Sequence, residues 1–399
     1  LIMPTLTAGL SLLERSLLML IVASWIFWLV ALYLTYRFYR GKRAITPTYT
    51  PPVSILIPVK GLDAGAFENF ASYCEQDYPE YELLIGVSEP ADPVIPVVEK
   101  LQMEYHEHEI RLIAAQPEGS NRKAALLHHL AGQAHSEVIV AIDSDMRVKP
   151  GYLRQIVSPL SDEGVGLVTC CYKGIAPETL TARLEALHMG ATFLPMVLVA
   201  REFLSMRFAM GSTIALRRST LEQIGGFDSV SEYLADDYQI GRRIVDQGRR
   251  VHLSRYVMSS VLGETTFREQ WNREIRWART TRVSRPLEYP GQILTLSTPL
   301  ALILLVVASF DQRAFTMLAL SMLLRWGVAW LVSDWTGNRA IRRWLILLPL
   351  RDGLSALTLA VGGLGNELVW RGTTFVVQRD GKLVPEPASS SQPLEIGEP

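Results

Sequence analysis

The stretch Val138-Ile139-Val140-Ala141-Ile142-Asp143-Ser144-Asp145 is an apolar run that stops on two carboxylates separated by one small residue. Such a run fits a strand covered on both faces of a parallel sheet, and in open α/β sheets ligands bind beyond the carboxyl ends of such strands. Asp143 and Asp145 at that end can hold a hard divalent cation, Mg or Mn, which takes one or two carboxylates together with the phosphates of its ligand. Asp-Ser-Asp also makes an ordinary strand-ending turn, so the rest of the chain has to decide.

Around this run the apolar periodicity alternates. Residues 53–59, 82–87, 137–142 and 165–171 read as strands, and 67–75, 94–104, 123–134 and 152–160 as helices. The alternation predicts one α/β domain over 51–286, with a mostly parallel sheet between two helical layers. Cys74, Cys170 and Cys171 lack metal-ligand spacing and read as apolar packing in a reducing compartment.

The 399 residues are 49% hydrophobic, too apolar for a wholly soluble chain, and the excess is localised. Residues 16–34 carry no charge and match the length of a bilayer crossing; Arg37, Arg40, Lys42 and Arg43 follow, so 1–44 reads as an anchor that enters the cytoplasm. A cleaved signal peptide would place its cationic region before the apolar one. Residues 291–310, 314–333 and 344–364 are three further candidates within a C-terminal membrane region, 290–366. The last contains Arg351-Asp352, which is costly in lipid unless buried against protein, so a re-entrant or interfacial hairpin competes with a full span. That leaves open the side of the 367–399 tail, whose end, with Pro385, Pro387, Ser389, Ser390, Ser391 and Pro393, reads as disordered. Residues 188–210 are strongly apolar but short, and read as an interfacial helix that brings a lipid beside the site, with a buried core helix as the alternative.

The net charge of −1 conceals a crowd of cations, Arg268, Arg273, Arg276, Arg279, Arg282 and Arg285, just before the membrane region. Spaced this way on a helix they form a stripe that can meet anionic headgroups or grip phosphate. No nucleic-acid partner is expected. Upstream, Gly225-Gly226-Phe227-Asp228 permits a tight loop leading to Asp236 and Asp237 at a helix start, where a carboxylate either complements the helix dipole or serves as a general base.

Asp92 in Ala91-Asp92-Pro93, Asp143-Ser144-Asp145, Asp237 in Ala235-Asp236-Asp237-Tyr238, and Arg273-x-x-Arg276-Trp277 occur in the order and spacing of a known family. The chain resembles the ceramide-glucosyltransferase-like inverting glycosyltransferases, and within them the hopanoid-biosynthesis branch; Pro58-Val59-Lys60-Gly61 and Trp370-Arg371-Gly372 extend the likeness towards both ends. The resemblance implies a glycosyltransferase A-type, nucleotide-sugar-binding domain with transmembrane helices at both ends, in a bacterial inner membrane with the domain cytoplasmic. It implies nucleotide contacts from Lys60 and Asp92, a metal and diphosphate site at Asp143 and Asp145, and Asp237 as base. Arg273, Arg276 and Trp277 would close over the diphosphate and support the acceptor site. Lys123, next to Asn121, stands where related enzymes place a phosphate- or base-contacting lysine; a solvated helix start is the other reading. The implied partners are a UDP-sugar donor, a lipid acceptor and the membrane. A processive polysaccharide synthase and a non-catalytic nucleotide-binding membrane adaptor are the competing functions.

Overall fold

The computed structural model describes residues 11–41, 49–175, 179–370 and 373–385. In chain order these form α1 (Leu12–Arg40), β1 (Val53–Val59), α2 (Ala66–Cys74), β2 (Tyr81–Val87), α3 (Ile95–Glu104), β3 (Glu109–Ala114), α4 (Arg122–Gln133), β4 (Val138–Ile142), β5 (Met146–Arg147), α5 (Tyr152–Val157), β6 (Val165–Ile175) and α6 (Leu180–His188). A π-turn (Met189–Phe193) leads into α7 (Leu194–Phe203), then β7 (Thr213–Arg217), α8 (Arg218–Gln223), α9 (Asp236–Asp246), β8 (Arg250–Val261) and α10 (Phe267–Ser284). The remainder is α11 (Ser297–Val307), α12 (Gln312–Trp335), α13 (Leu348–Gly362) and the strands β9 (Glu367–Trp370), β10 (Thr373–Val377) and β11 (Leu383–Pro385).

The main sheet has the order β3-β2-β1-β4-β7-β6-β8-β5. β3, β2, β1 and β4 run parallel, as do β6 and β8, while β7 is antiparallel to both of its neighbours. Every residue of β1 and β4 is buried, which is why their sequences are continuous apolar runs. The pleat divides them: Ile55, Ile57 and Val140 face Phe70 and Tyr152, while Leu56 and Ile139 face Leu127 and Ile240.

Among the described residues four helices are long and apolar enough to cross a membrane, Leu12–Arg40, Leu180–Phe203, Gln312–Trp335 and Arg339–Gly362, and the pair Tyr289–Thr295 and Ser297–Val307 is bent by 75°. The membrane candidate over 291–310 is therefore bent. Pro299 explains the break, because its ring would clash with the carbonyl of Thr295 if one helix ran through both.

Contacts sort these helices. Glu14, at the start of α1, feels the charges of Asp311 and Arg313 in the α11–α12 turn, and at the other end Tyr36 meets Trp335 with ring centroids 5.3 Å apart. α1 and α12 thus run side by side in the same direction, and α12 returns the chain to the domain. α13 then runs along α10: Arg351 forks onto Glu274, with Nη2 2.7 Å from Oε2, and Arg279 donates to Leu364 O at 3.1 Å. The tail strands β9–β11 pack Leu368, Phe375, Val377 and Leu383 against Leu234 of the domain. The tail accordingly packs on the domain, and Arg339–Gly362, although it has the length and composition of a span, has both Arg351 and Asp352 buried against protein partners, which removes the cost that the pair would have in lipid.

Two expectations change. The 188–210 segment follows the buried alternative over its helical part, which belongs to the α6–π–α7 rod; the rod is largely buried and packs on Trp28 and Leu34 of α1 and on Val328 and Val332 of α12. Pro195 has no N–H to bind Ala191 O, and Arg325 Nη1 takes that carbonyl at 3.2 Å. Arg325 also forks onto Asp352, at 2.8 and 3.0 Å, and lies 3.7 Å from the centre of the Trp28 ring, so the buried cation is neutralised and covered. Secondly, the tail is folded through Pro385. The Pro/Ser-rich end from 386, the cations Lys42 and Arg43, and Arg371 and Gly372 lie outside the described residues.

Candidate active site

The candidate aspartates collect at the carboxyl edge of β1, β2 and β4. Asp143 follows the last residue of β4, and Lys123 Nζ lies 2.5 Å from its Oδ1. Lys123 is there because Asn121 caps α4: its Oδ1 accepts from Ala124 N at 3.1 Å and its Nδ2 donates to Tyr233 O at 2.9 Å. Asn121 is thus an N-cap that also ties α4 to the loop before Asp237. Lys123 is part-buried, which excludes a solvated helix start, and it reaches Gly211 O at 3.1 Å.

Gly211 N in turn donates to Asp237 Oδ2 at 2.9 Å, and Tyr238 N to Asp237 Oδ1 at 2.7 Å. A Cβ on Gly211 would lie 3.2 Å from that carboxylate and 3.3 Å from the ammonium, so glycine lets the two charged groups close on one peptide. Gly225 and Gly226, with φ of 90° and 70°, make the turn that sends the chain back towards this site. Asp237 lies in the first turn of α9, where its Oδ1 satisfies the otherwise free Tyr238 N–H while its Oδ2 reaches across to Gly211. Burial and Asp236 push its carboxyl up to about 6, against the pull of Lys123. Asp236 is buried, and among the described residues no donor binds its Oδ2.

Asp145 Oδ2 accepts from Ser260 Oγ at 2.8 Å and its backbone oxygen from Val261 N at 2.8 Å, so β8 fixes it. Burial and Asp143 push its carboxyl up to about 7. Ser144 Oγ donates to Asp63, which brings a further carboxylate to the pair. Asp92 ties the ends of β1 and β2 together: it accepts from Gly61 N at 2.9 Å and from Val94 N at 3.0 Å, beside the exposed Lys60.

The α10 residues stand at the junction with the bundle. Arg273 Nη1 lies 2.8 Å from the buried Glu185, Arg276 lies 5.3 Å from the centre of the Trp370 ring, and Trp277 packs with Leu262, Ala329 and Trp344. The basic stripe is spent largely on protein: Arg282 donates to Gly363 O, Gly365 O and Asn366 Oδ1 at 2.6–2.7 Å, satisfying carbonyls at the end of α13.

Sequence reasoning missed four contributors, Asp63, Gly211, Ser260 and Tyr172. The Tyr172 phenol is held protonated by burial and by the charges of Asp143, Asp145 and Asp237, and its ring lies 5.3 Å from Phe193 of the π-turn. One side chain therefore stands within the field of the aspartates and in contact with the bundle. A second cluster, Glu82, Glu109 and His135, lies at the opposite, amino edge of the sheet. Glu82 accepts from Ser54 Oγ and His135 N and faces Arg111, so its charge is already compensated.

The chain is 25% identical over 247 residues to ceramide glucosyltransferase 1 of Caenorhabditis elegans, covering 61% of this chain and 53% of that protein. It is 23% identical over 235 residues to the probable glycosyltransferase YdaM of Bacillus subtilis, covering 57% and 55%. The chain thus spans about half the length of the curated relatives it matches. Its fold is similar to that of the mannosyltransferase PcManGT from Pyrobaculum calidifontis, solved in complex with GDP-Man and Mn2+, with a TM-score of 0.54 at 20% identity over 85% of this chain and 99% of that one. This likeness establishes a glycosyltransferase A-type domain. The family model described as glycosyl transferase family 21 matches residues 16–383, and the chain belongs to that family of sugar-transferring enzymes.

Proposed function

We propose that the protein moves a hexose or N-acetylhexosamine from a UDP-sugar to a lipid hydroxyl, on a ceramide or a hopanoid polyol, with inversion at the anomeric carbon. The observation that carries this reading is the chain of contacts Asp143–Lys123–Gly211–Asp237, which sets a carboxylate of raised basicity beside the carboxylate pair at the end of β4. The relatives' names support a lipid acceptor, and the complex of PcManGT supports a nucleotide sugar with a divalent cation.

Asp143 and Asp145 fit Mg or Mn: both offer hard oxygen donors, one residue apart at the end of β4, with Asp145 held by Ser260. When bound, such a cation neutralises charge on the departing diphosphate. Lys123 adds a fixed ammonium beside it, and Lys60 and Asp92 border the nucleotide end. Asp237 accepts the proton of the lipid hydroxyl, whose oxygen attacks the anomeric carbon from the face opposite the diphosphate in one displacement. Arg273, Arg276 and Trp277 serve the diphosphate and acceptor side. Tyr172 and Phe193 are in ring contact on the bundle side of these aspartates. Arg37 and Arg40, at the domain end of α1, favour a cytoplasmic domain on a bacterial inner membrane.

The test is detergent-purified protein incubated with a panel of UDP-sugars and extracted lipids, with products read by mass spectrometry and anomeric proton couplings. A discrete glycolipid of inverted configuration is expected. A polymer identifies a processive synthase, nucleotide binding without turnover identifies an adaptor, and a retained configuration overturns single displacement.

A further inference from the structure

The residues before Asp237 are held from two sides. On one side, Asn121 N donates to Ser231 O at 2.7 Å and Asn121 Nδ2 to Tyr233 O. On the other, the tail adds itself as a strand: Leu383 N donates to Glu232 O at 2.8 Å and Leu234 N to Gly381 O at 3.0 Å, with Tyr233 and Lys382 directly opposite. Leu234, two residues before Asp236, is buried against Leu368, Phe375, Val377 and Leu383 of the tail. The same small sheet reaches α10, where Trp370 underlies Arg276. Its turn also walls a cavity of about 220 Å³ between α9 and α10, lined by Tyr238, Gln239, Val283 and Asp380.

We propose that the C-terminal sheet β9–β11 is a positioning element of the active site, which fixes the Asp237 loop and α10 relative to one another. The inference rests on the reading of Asp237 as base. The tail touches none of the reacting groups; it acts through the loop backbone and through Arg276. A loop that carries a base on backbone bonds alone, without the tail's strand, has the Leu234 side chain exposed and one rank of hydrogen bonds unmade. Displacing a catalytic group by about 1 Å costs roughly 100-fold in rate, so docking of the tail is expected to appear in kcat.

The pairing suggests a reversible test. Tyr233 and Lys382 form a non-hydrogen-bonded antiparallel pair, with Cα atoms about 4.5 Å apart, within the range a disulfide accepts. The native cysteines Cys74, Cys170 and Cys171 are all buried, so an introduced pair is the accessible one. Full-length Tyr233→Cys/Lys382→Cys, with and without Leu383→Asp to undock the tail, would be assayed oxidised and reduced. Transfer, UDP affinity, melting temperature and hydrogen exchange of 231–240 would be followed. In reduced protein Leu383→Asp should lower kcat by roughly 10- to 100-fold, leave UDP affinity within about twofold, and speed exchange across 231–240; oxidation should reverse both effects. Transfer kept within twofold in the reduced Leu383→Asp protein overturns the proposal. So does an oxidised form that regains its melting temperature without regaining kcat. If the parent chain transfers no sugar, the enzymatic reading has failed separately, and exchange at 231–240 that ignores Leu383→Asp still overturns the positioning role. Trp370→Phe should retain more activity than Trp370→Ala at equal UDP affinity, because an aromatic face is kept beneath Arg276.

Discussion

Asp237→Asn is expected to lower turnover at least about 100-fold while leaving the fold nearly as stable as before. The two carboxylate oxygens accept from Gly211 N and Tyr238 N at 2.9 and 2.7 Å. Asparagine keeps one acceptor and turns an NH2 towards the other donor, at a cost of about 1–3 kcal/mol for the stranded N–H. Against this stands the charge. A carboxyl raised from 3.8 to about 6 contributes stability below pH 3.8 that is lost as pH rises through 6, so at pH 8 the ionised form costs the folded state at most about 3 kcal/mol. Asparagine removes that cost. The opposing effects are of similar size, and the melting temperature in detergent should move by only a few degrees. A general base contributes about 10²–10⁴ in rate, so turnover should fall at least 100-fold, equivalent to about 2.7 kcal/mol of barrier. The assay is glycolipid formation at saturating UDP-sugar and pH 8, beside thermal unfolding and calorimetric UDP binding. Turnover within threefold of the parent refutes the assignment and makes Asp236 the residue to test. A loss of UDP binding and melting temperature in step with turnover refutes it equally, because the effect would then be structural.

The kcat–pH profile should show an acid limb near pH 6, rate falling as Asp237 becomes protonated; Asp236→Asn should shift that limb to lower pH, since Asp236 raises the carboxyl, and an unmoved limb would exclude Asp237 as its source. Chelation should stop transfer and Mg or Mn restore it, with Asp145→Asn weakening the metal requirement's half-saturation; undiminished transfer in excess chelator would remove the metal site. Asp352→Asn should destabilise by about 3–5 kcal/mol, because Arg325 is left buried without its anion, while Arg325→Met/Asp352→Leu should lie closer to the parent in thermal unfolding. Impermeant thiol reagents should label a cysteine placed at Gln312 and one placed at Asp380 from opposite faces of the membrane, as expected if Arg339–Gly362 does not cross it, and labelling of both from one face would show that it does. The native cysteines cannot report orientation, since all three are buried.

Residues buried on both faces of a strand carry an unbroken apolar signal, so β1, β2, β4 and β6 were legible in the chain, as was the placement of Asp143 and Asp145 at a strand end. β7 and β8 were not. Thr213–Arg217 is short, and Arg250–Val261 buries alternate residues and carries a bulge opposite Cys170 and Cys171, which breaks its period. The membrane region was legible as apolar length, in Gln312–Trp335 and Arg339–Gly362, but its packing was not. Apolar length measures what a segment could do in lipid, whereas the position of α13 is set by charge pairs, Arg351 with Glu274 and Asp352 with Arg325, whose partners stand 77 and 27 residues away. The six arginines before it likewise announced an anion; several of them found carbonyls, an indole and a buried carboxylate within the protein. Local patterns located the aspartates because each sits at an element end that its own sequence defines. What holds Asp237 in place lies elsewhere in the chain, in a glycine at 211, an asparagine at 121 and a strand beyond 380, and only folding brings these together.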